Sequence, residues 1–235
     1  YHAALKRFEA HFTDPDRAVF SLRQALSIYE RLFDLSNQDF DHDAGAKIAS
    51  DVLDILEHWV QSCPDVAEYA YFKCLWFYKL STVYNTLLQE EQSLKYAYFC
   101  ISHLFELFEW AGPEPVGIDL IRDAFEILSR LHLSYPDKIS AGIEYLEMVS
   151  LLNEYLLKID PSSESLKFKS DTISESLKNY KSRFPDWQKY ITGDSLSLKI
   201  LVTLYSLQHP IPGYYMPLLD EYIKKTDGGL FDSQS

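Results

Sequence analysis

Along most of the chain, apolar residues recur at steps of three and four, the repeat of an amphipathic α-helix, and strict period-two alternation is scarce. The stretch from Ala67 to Ala111 carries the pattern most densely. Ala70, Cys74, Phe77, Ser81, Tyr84 and Leu88 form one stripe of a first helix, about 67–88, and Tyr71, Leu75 and Tyr78 a second beside it. A helix apolar on most of its circumference is expected to pack on more than one side. After a polar hinge at Gln89-Glu90-Glu91, a second helix, about 92–110, shows Leu94, Ala97, Ile101, Leu104, Phe105 and Phe108 on one face. Two such arms on a short link predict an antiparallel hairpin. Ser81, Ser93, Ala97 and Cys100 are small enough to let its axes come close.

The remaining segments follow the same period. Helices are expected over about 1–12, 17–35, 44–60, 118–133, 138–159, 163–183 and 196–207, with a short closing helix over 217–225. Residues 36–43 read as a polar loop, and 163–183 as a polar outer helix with a narrow stripe of Leu166, Ile173, Leu177 and Tyr180. Ala111-Gly-Pro-Glu-Pro-Val-Gly117 is the strongest breaker and predicts a bend. Pro-Asp pairs at Pro15, Pro64, Pro136 and Pro185 punctuate the chain as helix starts, spaced by 49, 72 and 49 residues. This organisation predicts one helical domain over 1–226 and a flexible tail over 227–235. The opening at Tyr1, already in a helical pattern, reads as part of something longer.

In Phe77, Leu80, Ser81 and Tyr84, followed by Ser93, Ala97 and Cys100, the central hairpin resembles a tetratricopeptide-type unit. A second copy can be laid 48 residues later on Leu128, Ser129 and His132, then Ala141, Tyr145 and Met148, and an opening half-copy on Ala18, Leu22 and Ala25. Leu157-Lys-Ile-Asp-Pro161 resembles the usual repeat ending, in a register that conflicts with the Ala141 alignment. The unit is longer than the usual ~34 residues. The resemblance implies an all-α fold of antiparallel hairpins stacked as a degenerate tetratricopeptide-like solenoid over about residues 1–160. An irregular helical bundle is the alternative.

Composition sharpens this picture. Eight glycines and ten prolines, with the prolines between periodic segments, favour helices on short turns over a sheet. Seventeen tyrosines and fourteen phenylalanines can fill gaps between stacked helices or line a groove. A net charge of −13 argues against a phosphate-binding surface and suits a basic partner. Cys63, Cys74 and Cys100 form no CxxC pair, so they read as isolated thiols of a reducing, intracellular compartment, cytoplasmic or nuclear. No apolar run is long enough to cross a membrane.

Candidate chemistry is sparse. Asp39-Phe-Asp-His-Asp43 resembles the start of a calcium loop, yet its sixth position is Ala44 and its twelfth Ser50, so a solvated loop and helix cap is the better reading. From Glu30 to Glu57, eight acids stand against Arg31 and Lys47, a local charge of −6. If several share a face, that face suits a Lys/Arg-rich or extended peptide, with Asp34, Asp39, Asp41, Asp43, Asp51 and Asp54 as the contact residues. His103, Glu106 and Glu109 could share a helical face but lack metal spacing. Residues 164–189 mix bases with aromatics, a nucleic-acid cue outweighed by an excess of only +2. There is no nucleophile elbow, phosphate-cradling loop or metal motif, so neither cofactor nor catalysis is expected.

The resulting expectation is a non-catalytic scaffold that binds a protein segment, without nucleic acid or membrane. The alternative is an architectural helical part of a larger assembly, with no groove of its own. A helical enzyme or ligand pocket is a third possibility, for which no catalytic motif speaks.

Overall fold

The structure, a computed structural model, describes residues 15–63 and 65–231, with side chains over 22–63 and 65–226. The expected opening helix over 1–12 and the second punctuating proline, Pro64, fall outside what is described, as does the side chain of Ala18 of the half-copy. The described residues are all-α, with nine helices and no strand. They are α1 (Pro15–Gln38), α2 (His42–Ser62), α3 (Ala67–Thr86), α4 (Glu90–Ala111), α5 (Pro115–Leu133), α6 (Ile139–Ile159), α7 (Glu164–Arg183), α8 (Ser195–Ser206) and α9 (Met216–Phe231). Each of α1 to α6 packs on the helix that follows it, and α3 also reaches α5, as successive hairpins of a solenoid or bundle do.

Local chemistry sets the helix ends. Asp41, Ser163 and Asp194 accept from the amides of Ala44, Leu166 and Ser197, capping α2, α7 and α8. Pro115 opens α5 in the first turn, where its missing N–H costs nothing. Several boundaries differ from the sequence expectation. The polar stretch 36–43 is mostly helix: only 39–41 connects α1 to α2, because Asp41 N bonds Ser36 O and closes the last turn. Glu90 and Glu91 belong to the first turn of α4, where acids face the positive end of the helix dipole. Pro136 and Pro185 introduce 3-10 turns, Pro136–Lys138 and Trp187–Tyr190, rather than α-helices. The closing helix continues past 225 to Phe231, so residues 227–231 of the expected tail are helical, and 232–235 are outside the described range.

A repeat of 48 residues is visible in the backbone of the first two hairpins. Phe40 and Leu88 both take φ 57°, and both turns close with the same long bond, Asp41 N to Ser36 O at 2.8 Å and Gln89 N to Tyr84 O at 2.9 Å. Gly45 then stands where Ser93 stands, Ala49 where Ala97 stands and Leu56 where Leu104 stands, all buried. In this register the equivalent of Ser81 is Phe33, so the half-copy laid on Ala18, Leu22 and Ala25 is displaced. The third hairpin breaks the spacing: residues 134–138 connect α5 to α6, two more than in the earlier turns. Gly142, rather than Ala141, therefore makes the close approach, with Leu133 of α5.

Two apolar clusters divide the interior. The first joins α1, α2 and α3 around Trp76, which is fully buried and meets Phe33 edge-on at 5.7 Å. The second runs from Cys74 and α4 across the Ala111–Gly117 bend into α5, α6, α7, α8 and α9. α6 is its centre, with every residue from Gly142 to Val149 buried. Enclosing such a helix takes neighbours on all sides, and α8 supplies one by folding back onto α6 and α4 instead of extending the stack.

The inner face of α3 is only partly the one its stripes predict: Cys74 and Ser81 of the first stripe lie inward. Tyr69, Cys74, Trp76, Leu80, Ser81 and Val83 are buried, whereas Phe77 and Tyr84 are half-buried and Leu88 is 84% exposed. A helix apolar all round has no periodic contrast from which to choose a side.

Candidate partner-binding site

The six acids singled out in the sequence, Asp34, Asp39, Asp41, Asp43, Asp51 and Asp54, are all exposed. The structure does not use them alike. Asp41 is committed to capping α2, its carboxylate accepting from Ala44 N at 3.1 Å. Asp43, Asp51 and Asp54 lie within about a quarter-turn arc of α2 together with Lys47, as their 3.6-residue phase requires. Asp34 sits near the end of α1 and Asp39 in the connection beside Phe40, whose ring is 83% exposed. Asp34, Asp39, Asp43, Asp51 and Asp54 form no ion pair among the described residues.

The other two acids of the run reach across to α3. Glu30 reaches Lys79 at 3.7 Å, and Glu57 pairs with Lys73. The hydrogen bond from Lys73 holds the Glu57 carboxyl below its usual range, against the opposing effect of burial. Both lysines belong to α3, so this pair of contacts ties the acid-rich helices to the next hairpin and leaves the aspartates outside.

Beside Glu57 lies a feature that the sequence reading missed. Lys73 Nζ stands 5.8 Å from the Phe77 ring, and Phe77 packs on Tyr96, Phe99 and His103 at 6.2, 5.5 and 5.2 Å. Tyr84 stacks almost parallel on Tyr96 at 5.5 Å, and Lys95 lies over both Tyr96 and Phe99. The spacing 96, 99, 103, 106 and 110 is that of one helical stripe, which signals the row in retrospect. His103, which shares a helical face with Glu106 by its spacing, is half-buried in this row with Nδ1 2.9 Å from Phe99 O.

The basic stretch 164–189 has largely spent its charge on the protein itself. Lys167, Lys169, Lys181 and Lys189 pair with Glu164, Asp123, Glu147 and Asp186, which leaves Lys178 and Arg183 without an ion pair among the described residues. Buried polar chemistry is concentrated in α6 and was not legible beforehand. Glu144, fully buried, accepts from the amides of Thr192 and Gly193 at 3.0 and 3.2 Å, and burial raises its pKa. Glu147 takes the hydroxyls of Tyr214 and Tyr215 at 2.6 and 2.7 Å and the ammonium of Lys181. Arg122, 2% exposed, is held by Asp119, Asp123 and Asn153. Every one of these groups bonds another part of the chain, as structural networks do.

Burial pushes the Cys74 thiol up to about 12 and the Cys100 thiol well above its usual value, so both read as inert core residues, while Cys63 is half-buried. No group of three or more His, Cys, Asp or Glu among the described residues is placed to hold a metal ion, and no described helix is long and apolar enough to cross a membrane. In comparison with known proteins, the chain matches no family model, no curated protein and no solved structure.

Proposed function

We propose that this chain is a non-catalytic, tetratricopeptide-like scaffold whose α2 face receives a basic or extended segment of a protein partner inside the cell. The observation that carries the reading is the set of exposed carboxylates Asp34, Asp39, Asp43, Asp51 and Asp54, unpaired among the described residues, in a run whose remaining glutamates are paired with α3. Exposed acids without a partner cation attract one from solution, steering basic segments toward the surface. Support for the repeat comes from the 48-residue recurrence of the hairpin turn and the close approach of small residues between α3 and α4.

The test is affinity capture from extract with this chain at low and high salt, alongside D43N/D51N/D54N. A partner lost at high salt and lost by the triple variant is the expected result, since exposed charges act within a Debye length of about 8 Å at physiological ionic strength. A partner retained by the triple variant would remove α2 from the site.

A further inference from the structure

Glu57, Lys73 and Phe77 link two stripes whose residues are exposed or half-buried. On α2, the positions 43, 50, 54, 57 and 61 share an edge by their spacing of seven, four, three and four. Gln61 donates to Glu57 at 3.0 Å, and Glu57 meets Lys73 of α3. On α4, Tyr96, Phe99, His103, Glu106 and Trp110 form the stripe on the far side of Phe77, with Phe99 39% and Trp110 52% exposed. Both α2 and α4 pack on α3, so an acidic stripe and an aromatic stripe flank the strip of α3 that carries Lys73 and Phe77. From Tyr96 to Trp110 the aromatic wall is about 21 Å long at 1.5 Å per residue.

We infer that the strip between these two stripes is a groove that docks an amphipathic helix of a partner protein, apolar on one face and Lys/Arg-rich along its flank. The inference rests on the scaffold reading above and names the occupant. Anchors at i, i+3, i+4 and i+7 of such a helix match the repeat of the Tyr96–Trp110 row. Charge selects its flank: Asp43, Asp54, Glu57 and Glu106 stand on the two walls against Lys73, already held by Glu57, and Lys95. Aromatic faces add a second attraction for Lys and Arg, as Lys73 and Lys95 already demonstrate within the groove.

The experiment is titration of labelled 20-residue helical peptides, followed by fluorescence anisotropy at 50 and 300 mM salt. One peptide has a leucine face with Lys/Arg flanks, and its control carries the same face with Glu flanks. The basic peptide is expected to bind, the acidic control at least tenfold more weakly. F99S and W110S, at positions exposed enough to leave folding intact by circular dichroism, are each expected to weaken binding about tenfold, and D43N/D54N to remove most of the salt dependence. Absence of binding by the basic peptide, or equal binding of both peptides, overturns the inference. Binding that D43N/D51N/D54N abolishes while F99S and W110S leave it unchanged also overturns it, yet leaves the acidic face as a partner site. Self-association of the chain by sedimentation, abolished by F99S, would assign the groove to a second copy and overturn it too.

Discussion

Ser81 and Ser93 donate to each other's backbone carbonyl across the α3–α4 contact, Ser81 Oγ to Ser93 O at 2.8 Å and Ser93 Oγ to Ser81 O at 3.0 Å. Both side chains are fully buried and their hydroxyls are 3.3 Å apart. The pair therefore sets the spacing of the hairpin as well as satisfying its polar atoms. S81A and S93A should each cost about 0.5–1.5 kcal/mol, and the double variant should depart from additivity because the groups are in contact. S93L, which overfills the contact, should cost at least about 1–3 kcal/mol. Urea unfolding of the four proteins checks the cycle.

Two glycines at comparable places in the first and third hairpins should respond differently to alanine. A Cβ at Gly142 would stand 2.8 Å from the backbone nitrogen of Leu133, which cannot move alone. G142A should destabilise by about 1–3 kcal/mol despite the better helix propensity of alanine. At Gly45 the nearest atom is the Ser36 hydroxyl at 3.1 Å, which can rotate at the expense of its bond to Phe33 O. Alanine's gain of about 1 kcal/mol offsets that loss, so G45A should stay within about 1 kcal/mol of the parent. Thermal unfolding of the two variants should separate them clearly.

Glu147 ties the C-terminal segment to α6. Its two oxygens take Tyr214, Tyr215 and Lys181, contributed by chain 34 to 68 residues away. E147A leaves two hydroxyls and an ammonium without their acceptor, a loss of about 3–5 kcal/mol by analogy with broken buried pairs. Y215F, which removes one bond to a charged acceptor, should cost about 1.5–3 kcal/mol. Limited proteolysis should show the segment from Phe184 onward becoming susceptible before α1 to α4 do.

Acid should destabilise the fold through two histidines. Burial lowers the pKa of both His132 and His209, and neither ring nitrogen of His209 has a hydrogen-bond partner among the described residues. The unfolded chain takes up these protons near pH 6.5, the folded chain only at lower pH. Their contribution is thus present above the unfolded pKa and lost as pH falls through that window. H209F should flatten the decline in unfolding free energy measured between pH 7.5 and about 5.5. Glu144 acts with opposite sign. Its folded pKa is raised by burial, so its contribution is full below the unfolded value of 4.5 and is lost as pH rises through the folded one. E144Q should remove that opposing slope.

Much of the architecture is written locally in the chain. Three- and four-residue spacing marks the helices, and the narrow stripe of α7 places Ile173 and Leu177 inward, as found. Asp41, acting as a cap, follows from its position before an apolar run. The exposure of the α2 aspartates also follows from their phase on the helix. What the tertiary structure alone decided are relationships without local signature. α3 is apolar all round, so its inner face was set by Trp76 meeting Phe33 and not by its own periodicity. α6 reads as an apolar helix, yet it buries Glu144 and Glu147 because Thr192, Gly193, Lys181, Tyr214 and Tyr215 arrive from distant segments to satisfy them. The row from Tyr84 through Tyr96 and Phe77 to His103 needs two helices side by side. Periodicity encodes which side of a helix avoids water; which neighbour covers that side depends on contacts between residues far apart in sequence.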